Sequence, residues 1–304
     1  MEGPELLELL AHSLGGQGTR SGPDFAVSIA ARWRHRPWGG YLEAVRRADL
    51  PPLDSLLGID EAKATLLENT RQFVAGLPAN DALLWGGRGT GKSSLVKALL
   101  GAFHQSGLRL VELDAAGILD LPEILAALEQ ADPDSRYRFI LFCDDLSFGS
   151  EDPAYKALKS LLDGGIEARP DNVLLYATSN RRHLLPRHFA DNEEYHRHGE
   201  EIIPGETAEE KISLSERFGL WLGFYPFDQE RYLQIVAEHL RLLGSTADGA
   251  LWRDEALRWS LQRGSRSGRV ARQFARHWVG SRSLAMGRDG SLRSGRENGR
   301  DASG

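Results

Sequence analysis

The sequence predicts an α/β fold, a five-stranded parallel sheet between helices followed by a small all-helical region, and three observations carry that expectation. A short apolar stretch, Asp81-Ala82-Leu83-Leu84-Trp85, runs directly into the glycine-rich segment Gly86-Gly87-Arg88-Gly89-Thr90-Gly91-Lys92-Ser93, after which Leu95, Val96, Leu99, Leu100 and Phe103 recur at helical spacing. Further strand-sized apolar runs alternate with helical patterns along the next 130 or so residues. Polar residues gather just past two of these runs, at Asp144-Asp145 and at Thr178-Ser179-Asn180. Alternation of this kind builds parallel sheets with right-handed crossovers, in which ligands sit at the carboxyl ends of the strands.

Taken in order, residues 1–50 hold short apolar pieces such as Leu6, Leu7, Leu9 and Leu10, separated by Gly15 to Gly22 and by Trp38-Gly39-Gly40. They read as an accessory helical segment. Arg32, Arg34, Arg36, Arg46 and Arg47, interleaved with Trp33 and Trp38, make it locally basic, which fits a solvated helix face or a partner surface. Pro51-Pro52 opens the base domain, expected over 51–226. There Ile59, Ala62, Leu66, Leu67, Thr70 and Phe73 mark one face of a helix leading into the first strand. Strands are expected at Leu108 to Leu113, Phe139 to Cys143, Asn172 to Ala177 and Leu220 to Tyr225, with helices around Leu121 to Leu128 and Tyr155 to Leu162. Residues 186–211 break the alternation. Their His188, His196 and His198 stand among Asp191, Glu193, Glu194, Glu200 and Glu201 without the spacing of a metal site, so a solvated functional loop is expected. A helical lid is expected over 227–280, with Tyr232, Ile235, Val236, His239, Leu240 and Leu243 on one face and His239 as a packing residue. Residues 281–304, rich in Gly, Ser and Arg, read as a disordered basic tail.

Composition narrows the class. With 304 residues, 41% of them hydrophobic and 26% charged, the chain can bury a substantial core. Its longest apolar runs are strand-sized, so neither membrane nor export is indicated. The single cysteine, Cys143, lies in an apolar run and reads as a buried thiol, which suits a reducing cytoplasm. A net charge of −6 gives no overall reason to expect nucleic acid, although the charge is uneven along the chain.

The glycine-rich segment satisfies G-x-x-x-x-G-K-[ST], the pattern of a phosphate-binding P-loop. Its glycines let backbone N–H groups turn inward around a polyphosphate, Lys92 supplies a point charge, and the Ser93 hydroxyl can ligate Mg²⁺. Asp144, ending a buried strand beside the loop, is the second metal candidate. Asp145 then lies where it can orient or deprotonate the attacking water, and Asn180 where it can contact that water or the γ-phosphate. Outside this context two aspartates cap a strand and an asparagine makes a turn; the shared sheet favours the functional reading.

With Arg217 and Arg269 added, these residues stand in the order of an AAA+ ATPase, and residues 51 to 280 resemble that superfamily of P-loop NTPases. More narrowly, Gly86 to Ser94, Asp144 to Phe148, Tyr176 to His183, Ser213 to Gly219 and Arg266 to Arg269 resemble an uncharacterised bacterial family of AAA+ ATP-binding proteins. The resemblance implies a Mg²⁺-ATP site with Asn180 as first sensor, Arg217 as a finger reaching a neighbouring subunit's γ-phosphate, and Arg269 as second sensor. Arg266 and Arg272 flank Arg269 and compete for that role. One departure stands out: the superfamily usually places Glu where this chain has Asp145, a carboxylate one methylene shorter, which puts turnover in question more than binding. The resemblance implies a homo-oligomer acting on a protein or nucleic-acid partner. The rivals are a slow nucleotide switch resembling helicase loaders, a P-loop small-molecule kinase and a structural pseudo-ATPase.

Overall fold

The computed structural model describes residues 22–36, 39–148, 152–163, 169–180, 196–198, 201–203 and 217–297. The chain enters through β1 (Ala30–Arg36) and β2 (Gly39–Ala44), then α1 (Asp60–Val74), β3 (Ala82–Gly86), α2 (Lys92–Phe103) and β4 (Leu108–Leu113). It continues through α3 (Leu121–Ala131), β5 (Arg138–Cys143), α4 (Pro153–Asp163), β6 (Val173–Ser179) and the short strands β7 (His196–His198) and β8 (Glu201–Ile203). It ends with β9 (Leu220–Phe224), α5 (Gln229–Leu242), α6 (Arg253–Gln262) and α7 (Gly268–Glu297). One sheet organises the molecule, in the order β2-β1-β4-β5-β6-β3-β9. The five expected strands lie in it side by side and parallel.

Because the central strands are covered on both faces, neighbouring residues feed opposite cores. Leu83, Phe139, Leu141 and Cys143 pack with α3 and α4 on one side. Leu84, Ile140, Phe142 and Tyr176 pack with α1 and α2 on the other. Burial raises the Cys143 thiol pKa to about 12, so it is an inert core group. The Tyr176 hydroxyl, equally buried, meets Thr70 at 2.9 Å and accepts from Asn69 at 3.0 Å, tying α1 to β6. Asn69 also exchanges hydrogen bonds with the backbone of Asn80, which fixes the entry to β3.

The amino-terminal region corrects the expected accessory helix. Residues 30–44 are a β-hairpin that widens the sheet to seven strands, β1 pairing parallel with β4 and β2 antiparallel with β1. Phe25 and Trp33 lie in the core beneath it. Arg109, buried in β4, donates to the Phe25 carbonyl at 2.7 Å. The arginines here form cross-strand pairs, Arg32 with Glu112 and Arg34 with Glu43, and do not make a helix face. Their alternation with Ala31, Trp33 and His35 is the period of two that marks a strand. Leu6 to Leu10 and Trp38 lie outside the described residues.

At the carboxyl terminus α7 runs to Glu297, through a stretch for which the sequence predicts disorder. The chain has no proline after Pro226, and the Leu, Ala, Met and Arg residues among the glycines are strong helix formers. Of the expected 186–211 loop, the described part is β7 paired with β8; the remainder, including His188, lies outside the described residues. Among the described residues no helix is long and apolar enough to cross a membrane.

A clasp holds the hairpin to the rest of the sheet. His35 reaches Asp114 through Nε2 at 3.1 Å and Asp120 through Nδ1 at 2.9 Å, while the Trp33 indole donates to Asp120 at 2.8 Å. The hydrogen bond to Asp114, aided by both carboxylate charges and opposed by partial burial, raises the His35 pKa above its ordinary 6.5. A pKa raised on folding stabilises the fold fully below the unfolded value and ceases to do so as the pH climbs through the folded one. His35→Gln should therefore melt below the wild-type temperature at about pH 5.5, and that gap should close toward about pH 8.5. Thermal melts across this range check it, and a gap that widens with pH would overturn the clasp.

Candidate functional site

The order of the sheet places β3 where successive connections leave in opposite directions, to β4 on one side and from β6 past it to β9 on the other. This is the switch point at which α/β sheets open a crevice beyond their carboxyl ends. The P-loop occupies it. Gly86 has a φ of 131°, and a Cβ there would fall on the Phe224 carbonyl of β9, so only glycine lets the loop leave the sheet at this point. Gly91, at φ 107°, is the residue from which α2 begins, so that helix directs its amino-terminal N–H groups and the positive end of its dipole toward the loop.

Lys92 folds back over the loop. Its ammonium donates to the carbonyls of Gly86 and Gly87 at 2.8 Å each and to Asn180 Oδ1 at 3.2 Å. Burial lowers its pKa, the neighbouring Asp144 and Asp145 oppose that shift, and Arg269 and Arg88 add to it. Thr90 closes the turn by donating to Gly87 at 2.8 Å.

Two strand ends meet beside Lys92. Asp144, just past β5, accepts on Oδ1 from the Ser93 hydroxyl and from the Thr178 hydroxyl, both at 2.6 Å. Its Oδ2 takes no hydrogen bond among the described residues. Ser93 and Asp144 thus bring two oxygen donors to one point, the donor chemistry Mg²⁺ prefers, so the residues present fit that ion. Asp145 has a left-handed backbone with φ 58°, uncommon outside glycine, and its N–H donates to Thr178 Oγ1 at 2.8 Å. The Asn180 amide donates to the Asp145 carboxylate. Lys92, Asn180, Asp145, Thr178, Asp144 and Ser93 form one continuous polar chain.

Around this chain lies a cleft of about 800 Å³ between the sheet and the helices α5 and α7. Arg88 to Ser94, Asp144, Asp145 and Asn180 line its polar end. Leu56, Ile59, Phe227, Ile235, Leu242 and Leu243 line an apolar end suited to a flat base. Contacts at the start of α7 shut one side, where the Gly268 N–H donates to the Gly89 carbonyl at 2.9 Å.

Of the three competing arginines, Arg269 is the one at the loop, close enough that a Cβ on Gly89 would meet its own Cβ at 3.1 Å. Arg272 lines the cleft farther out and pairs with Asp49 at 3.7 Å, while Arg266 is exposed and does not line it. Arg217 is not brought to this site. It precedes β9, whose first residue Leu220 pairs with Ala82 at the opposite end of β3 from the P-loop. A five-residue strand separates the two ends by roughly 16 Å.

Sequence reasoning missed three contributors. His239, expected only to pack, is half-buried and lines the cleft with Arg272 and Arg276. Burial lowers its pKa, with Arg272 adding to the shift. Arg276 stands one helical turn beyond Arg272, which is the signal that could have found it. Thr178 was visible only as a strand-end hydroxyl. Its place one residue before the end of β6, with Asn180 just past that end, sets it beside the end of β5.

Thr178 is 1% exposed, so deleting its hydroxyl leaves the Asp145 N–H without its acceptor and Asp144 with one of its two donors. Thr178→Val should keep the fold yet weaken Mg²⁺-ATP binding by about tenfold, near 1.4 kcal/mol, with little change in metal-free ATP binding. Thr178→Ser should restore it. Calorimetry with and without Mg²⁺ decides, and equal losses in both would remove Thr178 from the metal's support.

Comparison with known proteins bears on the fold. Two single-residue mutants of RuvB from Thermotoga maritima, a Holliday junction branch migration motor, superpose with TM-scores of 0.52 and 0.50. Sequence identity is 17% and 18%; the matches cover 77% and 78% of this chain and 66% and 68% of theirs. In other RuvB structures the chain spans 63% of the length. Among curated proteins none matches in sequence. The model of a protein family of unknown function, DUF815, matches residues 26–282, which takes in hairpin, sheet and lid. The chain belongs to the DUF815 family, and it has the fold of an AAA+ ATPase.

Proposed function

We propose that this chain is an ATPase that binds Mg²⁺-ATP between its α/β base and its helical lid, hydrolyses it in an oligomer, and uses the resulting base–lid movement to remodel or load a protein or nucleic-acid partner. The observation that carries this reading is the convergence of Lys92, Ser93, Asp144, Asp145 and Asn180 on a cleft that Arg269 of α7 also lines. The triphosphate would lie along Gly86 to Ser94, the N–H groups of the loop and the start of α2 facing its oxygens. Ser93 and Asp144 would hold Mg²⁺, which would supply charge neutralisation for the triphosphate.

Phosphate oxygens compete for the Lys92 ammonium with the three acceptors it now serves. When Asn180 Oδ1 loses Lys92, the amide is free to turn, and the Asp145 carboxylate it restrains can take a water proton. Asp145 is thereby the general base and Asn180 reports the γ-phosphate. Arg269, on the first turn of α7 in the lid, would couple γ-phosphate loss to the angle between lid and base. The lid is appended after β9 and not inserted in the sheet, which speaks against a small-molecule kinase. A buried, unreactive Cys143 fits a cytoplasmic setting. A slow switch is the second reading, favoured by the short Asp145 side chain and its tether to Asn180.

Two experiments test the reading. Asp145→Asn should bind Mg²⁺-ATP with wild-type affinity and hydrolyse it at least roughly tenfold more slowly, a loss of about 1.4 kcal/mol in transition-state stabilisation. Unchanged turnover in a phosphate-release assay would move the base elsewhere.

The second concerns Arg217, which lies a full strand length from its own P-loop and so can serve only a neighbouring subunit's site. Lys92→Ala keeps the finger and loses the site; Arg217→Ala keeps the site and loses the finger. Each should be inactive alone, and mixing them should restore part of the activity. Absence of recovery in verified mixed oligomers, or an active monomeric Arg217→Ala, would refute the shared site.

A further inference from the structure

The lid carries a charge pattern that ATP binding does not account for. From Ala256 to Arg288 the sequence has eight arginines, no lysine, no aspartate and no glutamate, in a chain whose net charge is −6. Among the described residues the only carboxylate within 4 Å of these arginines is Asp49, beside Arg272. Of the others whose side chains are described, Arg258 reaches the Asp254 carbonyl at 3.4 Å, two lie over aromatic rings and Arg266, Arg269 and Arg276 are exposed. Arg263 lies over the Trp259 ring at 3.9 Å, and His277 stacks on the same indole at 4.9 Å and 24°. Arg282 lies over Trp278 at 4.3 Å.

Helical phase assembles these groups into a strip. On α7 the residues Arg269, Arg272, Gln273, Arg276 and His277 are all exposed, while Val270, Ala271, Phe274, Ala275 and Trp278 fill the lid core. The exposed arc begins at the mouth of the nucleotide cleft, where Arg272 and Arg276 line it. It passes through Gln273 and His277 and ends at Arg263, just past α6, whose Nε reaches Gln273 Oε1 at 3.4 Å.

We propose that this strip binds the phosphate backbone of a nucleic acid. Uncompensated guanidinium groups are the electrostatic footprint of such a partner, and phosphodiesters offer charge that repeats along a line. An acidic protein surface would also be attracted, but it matches two other features less well. Every cation in the strip is arginine or histidine, and the arginine fork fits phosphate bidentately. The contact with Trp259 holds the Arg263 fork against the ring and leaves N–H groups for a ligand, at low entropic cost. The proposal does not depend on hydrolysis of ATP.

The test uses the full chain and fluorescence anisotropy with a labelled 30-nucleotide single strand and a labelled 30-base-pair duplex of DNA. Binding should weaken steeply as salt rises from about 50 to about 200 mM. Arg263→Ser, which does not line the cleft, should weaken duplex binding several-fold and lower the salt slope by roughly 0.9, the value of one lost phosphate contact. ATP binding should stay unchanged. The paired control Arg34→Ser with Arg46→Ser, in the hairpin region, should bind DNA as the wild type does. If the serine variant lowers the melting temperature, Arg263→Lys keeps the charge and should still weaken binding through loss of the fork. No salt-dependent binding by the wild type overturns the proposal, as does an equal loss in the hairpin control. Competition by poly-glutamate as effective as that by unlabelled DNA would reassign the strip to an acidic protein partner.

Discussion

One hydroxyl ties the candidate site together. Thr178, at the end of β6, donates to the carboxylate that ends β5 and accepts the N–H of the next residue along that strand. Two parallel strands lie about 4.8 Å apart, so side chains at their carboxyl ends meet only if one is short enough to sit between them. A threonine does this and a longer polar residue does not. The contact locates Asp144 against Ser93 of α2 and sets the backbone turn that carries Asp145 toward Asn180. Register is the deeper constraint. Cys143 pairs with Ala177, so Asp144 and Thr178 are the next residues in line, and a slip of one position in either strand would move every member of the chain to the wrong face.

Much of this was legible in the sequence, and the reasons are physical. The parallel strands are buried on both faces, so they stand out as unbroken apolar runs, and the P-loop pattern fixes a loop and the start of a helix at once. Asp144, Asp145 and Asn180 could be placed because a strand's end in such a sheet is also the ligand's side. The hairpin was not legible in the same way. Its strands are half-exposed at a sheet edge, and their polar positions are arginines whose carboxylate partners, Glu43 and Glu112, are far from obvious in sequence. Phe25 and Trp33 look like isolated aromatics until β4 and α3 close over them. The extension of α7 to Glu297 was missed because glycine content weighs against a helix, whereas the absence of proline weighs for one.

The lid joins two chemistries that the sequence shows only as scattered basic residues. One edge of α7 faces the cleft and brings Arg269 against the P-loop, while its neighbouring face carries Gln273 and His277 toward Arg263. Arg269, Arg272, Gln273, Arg276 and His277 share one helix, so any tilt of α7 would carry the cleft edge and that part of the strip together. The core beneath, with Tyr232, Phe274 and Trp278 all buried, makes the lid move as one body.

The left-handed backbone at Asp145 limits what evolution can place there. Aspartate and asparagine tolerate that region better than longer side chains, since a short polar group can hydrogen-bond locally. A glutamate would extend the carboxylate by one methylene, but it would first have to hold a conformation it disfavours, or drag the strand end into another one and break the Thr178 contact. The aspartate is therefore selected by the chain's own geometry before any question of reaction rate. A lineage that changed this residue to glutamate would be expected to change its neighbours as well, so two substitutions would travel as a pair.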